Sequence, residues 1–128
     1  MEPNKELDIL ARKVIGAAIE VHRALGPGFL EAVYQEALSR ELENAGIYFD
    51  RQAAVKVHYK GYEVGNGRID MLVENELVVE LKAIDNLAPI HQAQVISYLR
   101  ALNKPLGLLI NFNVSLLRQG VKRIVLTH

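Results

Sequence analysis

"RIDMLVENELVVELKAI", residues 68–84, reads as two apolar strands around Glu74, Asn75 and Glu76, yet it carries Asp70, Glu80 and Lys82 where burial favours valine or leucine. Side chains alternate faces along a strand, and directly opposed residues of an antiparallel pair point the same way. Pairing Val73 with Leu77 across a three-residue loop sets Asp70 opposite Glu80 and collects Ile69, Met71, Val73, Leu77, Val79 and Leu81 on the other face. A two-residue loop pairing Glu74 with Leu77 puts Asp70 among the apolar side chains instead. Core burial selects the first register, which gathers Asp70, Glu80 and Lys82 on one face of a hairpin.

Upstream, Val55, Val57 and Tyr59 alternate with Lys56, His58 and Lys60, so a half-exposed strand leads into a turn at "KGY", 60–62. "GNG" at 65–67 predicts a second turn or bulge. Before these, Leu7, Leu10, Ala11, Val14, Ile15, Ala18, Val21 and Leu25 recur at helical spacing, and Asn4 stands ready to cap a helix running to Leu25. "GPG" at 26–28 ends it. A second helix is predicted from about Leu30 to Ala45, with Leu30, Val33, Tyr34, Ala37, Leu38 and Leu42 on one side and Gly46 as its stop. Downstream, a third helix is predicted from Pro89 to Leu102, then strands at 106–111 and 123–126. The order is α, α, β, β, β, α, β, β.

With 128 residues, half of them hydrophobic, the chain suits one domain over 1–128. Fifteen basic and fifteen acidic residues cancel, so no overall field attracts polyanions. The distribution is uneven: residues 1–50 hold five Lys or Arg against nine acids, and residues 51–128 hold ten against six. The absence of cysteine excludes disulfides and thiolate metal sites. No stretch reaches the roughly 20 apolar residues of a membrane span, and "MEPNKELDIL" is too polar for a signal peptide. The expectation is a soluble, cytoplasmic protein without membrane partners.

Two carboxylates one strand spacing apart repel, and a hard cation such as Mg2+ relieves this by binding both. Lys82, on the same face as Glu80, balances charge on a phosphate or helps activate water. The set suits phosphodiester hydrolysis. Spacing alone equally allows a surface Glu80–Lys82 ion pair with Asp70 solvated or bonded to Arg68, a common and nearly neutral arrangement.

"GFLEAVY" at 28–34, the stretch at 68–84, "HQAQVISYL" at 91–99 and "LGLLINFNV" at 106–114 together resemble the GxxExxY proteins, a family placed in the PD-(D/E)XK nuclease superfamily. The resemblance covers about Leu7 to Leu126. It implies an α/β (α+β) fold with a restriction-endonuclease-like αβββαβ core: a mixed central sheet flanked by helices, extended here by the N-terminal helical hairpin, with the acids at the sheet's split edge. The family's name-giving residues fall on Gly28, Glu31 and Tyr34, and the superfamily's metal-binding aspartate, glutamate and lysine on Asp70, Glu80 and Lys82.

The resemblance further implies a Mg2+- or Mn2+-dependent nuclease acting on nucleic acid, with DNA the expected substrate. The alternative is a catalytically weak or inactive module that binds nucleic acid or protein, with a homo-oligomer or protein partner allowed. Glu31 shares a helix face with Tyr34 and is the expected third acid at the metal, although an acid in a first helical turn also complements the helix dipole. Gly28 is expected to let its loop approach another backbone closely. Gln94 and Tyr98, four apart, are similar to the Q-x-x-x-Y element of RecB-like nucleases; Tyr98 as a core aromatic is the plain alternative. Arg68 and other dispersed basic residues are candidate phosphate contacts. His22, His58, His91 and His128 lack ligand spacing and are expected at the surface or in caps.

Overall fold

The computed structural model describes residues 3–126. Helix α1 spans Lys5–Leu25 and starts where Asn4 Oδ1 accepts the Leu7 N–H at 2.8 Å, satisfying a donor that the first turn otherwise leaves orphaned. Its period buries Leu7, Ala11, Val14, Ala18 and Val21. Helix α2 spans Glu31–Asn44 and completes the N-terminal hairpin. Its buried stripe is Tyr34, Gln35, Leu38, Ser39 and Leu42, whereas Leu30 and Val33, expected to be inside, are exposed. Leu30 precedes the first turn, so the helical period does not set its direction.

Strands β1 (Phe49–Tyr59), β2 (Tyr62–Val73) and β3 (Leu77–Lys82) follow, then helix α3 (Pro89–Leu102), β4 (Leu106–Asn111), a single 3-10 turn and β5 (Val121–Val125). The strands lie side by side in chain order, antiparallel except for the β3–β4 pair. A parallel pair needs a crossover, and α3 supplies it. Met71, Val79, Leu81, Leu108 and Ile110 pack with the α1–α2 residues, while Leu72, Val78 and Leu109 pack with Val95 and Leu99 of α3. The result is an α+β fold, a mixed central sheet flanked by helices, with the restriction-endonuclease-like core that the resemblance implies.

Two departures matter for the site. Strand β2 runs unbroken through Gly65, Asn66 and Gly67, where a turn or bulge was expected, because Val57, Lys56 and Val55 of β1 pair with them; the register shift lies beside them, between Val57 and His58. The central hairpin has the expected register, with Val73 opposite Leu77 and Met71 opposite Val79. Met71, Val79 and Leu81 share the α1–α2 side, but Ile69 does not join them and packs in the α3 cluster with Val55. Alternation breaks at Asp70. Across from it, Gln52 has φ 52, a left-handed conformation uncommon outside glycine, which lets the paired strands turn over at this point.

Candidate functional site

The β2–β3 ladder runs from Val73–Leu77 to Met71–Val79, and at the next step the carboxylates take over. Glu80 Oε1 accepts the Asp70 backbone N–H at 2.8 Å, and Asp70 Oδ2 accepts the Leu81 N–H at 2.7 Å. The sheet opens there, and each acid is held by the other strand's backbone. Gln35 Nε2 donates to the Asp70 carbonyl at 3.3 Å, and Gln35 in turn accepts from Gln52 Nε2, so α2 and the left-handed kink both brace this end of β2.

Burial sets the electrostatics. Glu80 is 6% exposed, and its carboxyl is pushed up to about 7, first by desolvation and then by the negative charge of Asp70, with the Asp70 amide and Lys82 pulling the other way. The Glu31 carboxyl is raised by partial burial and by Asp70, and lowered by Lys82. Tyr98 is raised by burial and by Glu80. Glu31, Lys82 and Tyr98 therefore all lie within the field of the acid pair, although they come from α2, β3 and α3.

The ion-pair alternative has no support in the geometry. Among the described residues the ion pairs are Arg23–Glu20, Arg40–Glu36, Arg51–Glu36 and Arg123–Asp8, none involving Asp70, Glu80 or Lys82. Arg68 is exposed and donates to the Gln52 carbonyl at 3.1 Å rather than to Asp70. Strand β3 is the third of five, not an edge.

Lys82 is held from behind. Its carbonyl accepts the Phe112 N–H at 2.9 Å, and buried Asn111, its neighbour on β4, donates to the Ile84 carbonyl and accepts the Ile84 and Asn113 N–H groups. Neither Asn111, Gln35 nor Gln52 stood out in the sequence. The available signal for Asn111 was an amide at the end of the otherwise apolar "LGLLIN".

Gln94 Nε2 reaches the Tyr98 hydroxyl at 3.2 Å, with Gln94 exposed and Tyr98 half-buried. Tyr98 lies over Gly67, where an added Cβ would stand 3.5 Å from its hydroxyl. Tyr34 is buried in α2, where its hydroxyl donates to the Gly26 carbonyl at 2.6 Å, accepts the Phe29 N–H at 3.1 Å, and its ring stacks on Phe112. Gly28 meets no close neighbour, contrary to expectation; its φ of 111 is what requires glycine. Tyr34 and Gly28 thus shape the loop that starts α2 and places Glu31. Tyr34→Phe leaves the Gly26 carbonyl and Phe29 amide without their partner, and is expected to cost about 1–2 kcal/mol in urea unfolding; an unchanged midpoint would show that the hydroxyl does not hold the loop.

His22 is buried, contrary to expectation, with Nε2 2.8 Å from the Val114 carbonyl. His91 caps α3 by accepting the Ala88 N–H, His58 is exposed, and His128 lies outside the described residues. Among the described residues no three His, Asp or Glu side chains form a metal cage. The Asp70–Glu80 pair still fits a hard divalent cation: each carboxylate has one oxygen outside the backbone bonds, and the mutual repulsion that raises Glu80 is what a cation relieves. Mg2+ is commonly held by one or two carboxylates together with substrate phosphates. A cavity of about 550 Å³ beside Ile19, His22 and Leu117 includes none of these acids.

Among the described residues, no helix is long and apolar enough to cross a membrane. Residues 8–124 match the family model of the PD-(D/E)XK nuclease superfamily. No curated protein and no solved structure gives a match.

Proposed function

The chain belongs to the PD-(D/E)XK nuclease superfamily, and from that premise we propose that it is a nuclease-fold module that engages the phosphodiester backbone of DNA at the Asp70–Glu80–Lys82 end of its sheet, with weak or no cleavage on its own. The observation that carries this reading is the acid pair itself, with one oxygen of each carboxylate bound to a backbone amide and, among the described residues, no third acid completing a cage. Such a pair holds Mg2+ or Mn2+ loosely until a phosphate adds its own oxygens. Glu31 acts from the outer shell, through water, and Gln94 and Tyr98 flank the approach. Lys82 sets a positive charge beside the carboxylates, where it neutralises a phosphate oxygen.

Metal-dependent hydrolysis is the second reading, favoured by Lys82 standing beside the acids without an ion-pair partner among the described residues. When bound, a divalent cation supplies water activation and charge neutralisation. Anisotropy with labelled DNA, with and without Mn2+, followed by gel analysis of the same mixtures, tests both. Tighter binding with Mn2+ and little or no cleavage is expected. Rapid multiple-turnover cleavage selects the second reading, and absence of binding to DNA and RNA alike overturns the proposal.

A further inference from the structure

The β1–β2 hairpin extends beyond everything that packs on the sheet. Every residue from Lys56 to Asn66 is exposed, on both strands and both faces. Val57, Tyr59, Tyr62 and Val64 are 41%, 61%, 75% and 59% exposed, and Tyr59 and Tyr62 stand side by side as a cross-strand pair.

The shape of the ribbon is well defined. Tyr59 pairs with Tyr62 across the two-residue turn Lys60–Gly61, whose φ values of 49 and 84 match the turn type that follows strand twist. The register shift at Val57–His58 adds local twist. Its charge is positive: the exposed stretch 56–66 holds Lys56 and Lys60 against Glu63, and exposed Arg68, bonded to the Gln52 carbonyl, follows at its base, in a chain whose net charge is zero.

We propose that this ribbon enters the major groove of B-form duplex DNA while the acid pair stays at the backbone, an inference that rests on the DNA-binding reading above and names the form of its ligand. A major groove about 12 Å wide admits a two-stranded β-ribbon. Asp70 lies eight residue steps along β2 from Tyr62, roughly 26 Å of extended chain, so a groove and a phosphate beyond it are reached together. The basic side chains meet phosphates, and the tyrosines present apolar faces and hydroxyls to base edges. Duplex RNA is disfavoured, because its major groove is deep and narrow. Self-association through edge strand β1 is disfavoured too, since antiparallel pairing of two copies about His58 sets Lys56 of each opposite Lys60 of the other.

Anisotropy with a 20-base-pair DNA duplex, its RNA equivalent and the single strand decides the matter, using wild type, Lys56→Gln/Lys60→Asn and Tyr62→Ser. Asn tolerates the left-handed turn position, and all three sites are exposed, so thermal midpoints should be unchanged. The double variant is expected to bind duplex DNA about 10-fold or more weakly at low salt, with the slope of log K against log salt reduced by about 2; Lys56→Arg/Lys60→Arg should restore both. Tyr62→Ser is expected to weaken duplex binding without changing that slope. Wild-type binding that the hairpin variants leave intact overturns the ribbon and spares the DNA-binding reading. Preference for single strands or RNA duplex overturns the groove assignment. No binding by wild type removes both readings.

Discussion

Asp70→Asn is expected to abolish the response of the protein to Mn2+ and Mg2+ while leaving it folded. Volume is nearly constant, and an Asn carbonyl can still accept the Leu81 N–H that Asp70 Oδ2 accepts at 2.7 Å. What disappears is one of two negative charges that a hard cation needs. The variant also removes the second largest influence raising Glu80, whose carboxyl should then titrate lower. Lys82→Met fails differently: metal binding survives, since a neighbouring positive charge is gone, but any hydrolysis falls by on the order of 100-fold because charge building on the phosphate loses the lysine cation. Calorimetric Mn2+ titration with a cleavage assay separates the two. Cleavage surviving Asp70→Asn places the activity outside this site, and metal binding surviving it removes the acid pair as the metal's seat.

The pairing of the two carboxylates was legible because it obeys a simple constraint. One register of 68–84 keeps Met71, Val79 and Leu81 together, and that register sets Asp70 beside Glu80. The helices were legible for the same reason, their apolar period being long and bounded by Asn4, Gly26 and Pro89. The bracing was not. Period-two reasoning assumes extended backbone throughout, so it carried Ile69 to the wrong face and had no means of placing a left-handed Gln52 opposite Asp70. The same rule began β1 at Val55, since Asp50 to Ala54 show no alternation and owe their strand conformation to pairing with β2. Glu31 entered through the family resemblance, and His22 was missed because its burial depends on Phe112 and Val114, roughly ninety residues away. Long-range packing is invisible to local pattern. Gly28 shows the converse, a position recognised for the wrong cause: positive φ rather than close approach.

Glu80→Gln is expected to stabilise the protein at pH 8 and to leave it unchanged near pH 4.5. In the folded chain the Glu80 carboxyl titrates at about 7 against an ordinary 4.5. Below 4.5 both folded and unfolded states hold the proton. Between the two values the folded state holds a proton that the unfolded state has lost, so stability falls as pH rises. Above 7 both are charged, and the folded protein carries the full cost of a nearly buried carboxylate beside Asp70, about 3 kcal/mol by the size of that gap. Glu31, raised in the same direction, adds to the same slope. Gln keeps an oxygen for the Asp70 N–H and carries no charge, so its urea midpoint should stay flatter between pH 5 and 8 and exceed wild type at the upper end. Mn2+ should recover part of the wild-type loss at pH 8 and do nothing for the variant, because the repulsion that a cation relieves is then gone. Wild-type stability that does not change from pH 5 to 8 would mean that Glu80 is hydrated when charged, and the sheet would have to be open at Asp70 more widely than its backbone bonds to the carboxylates allow.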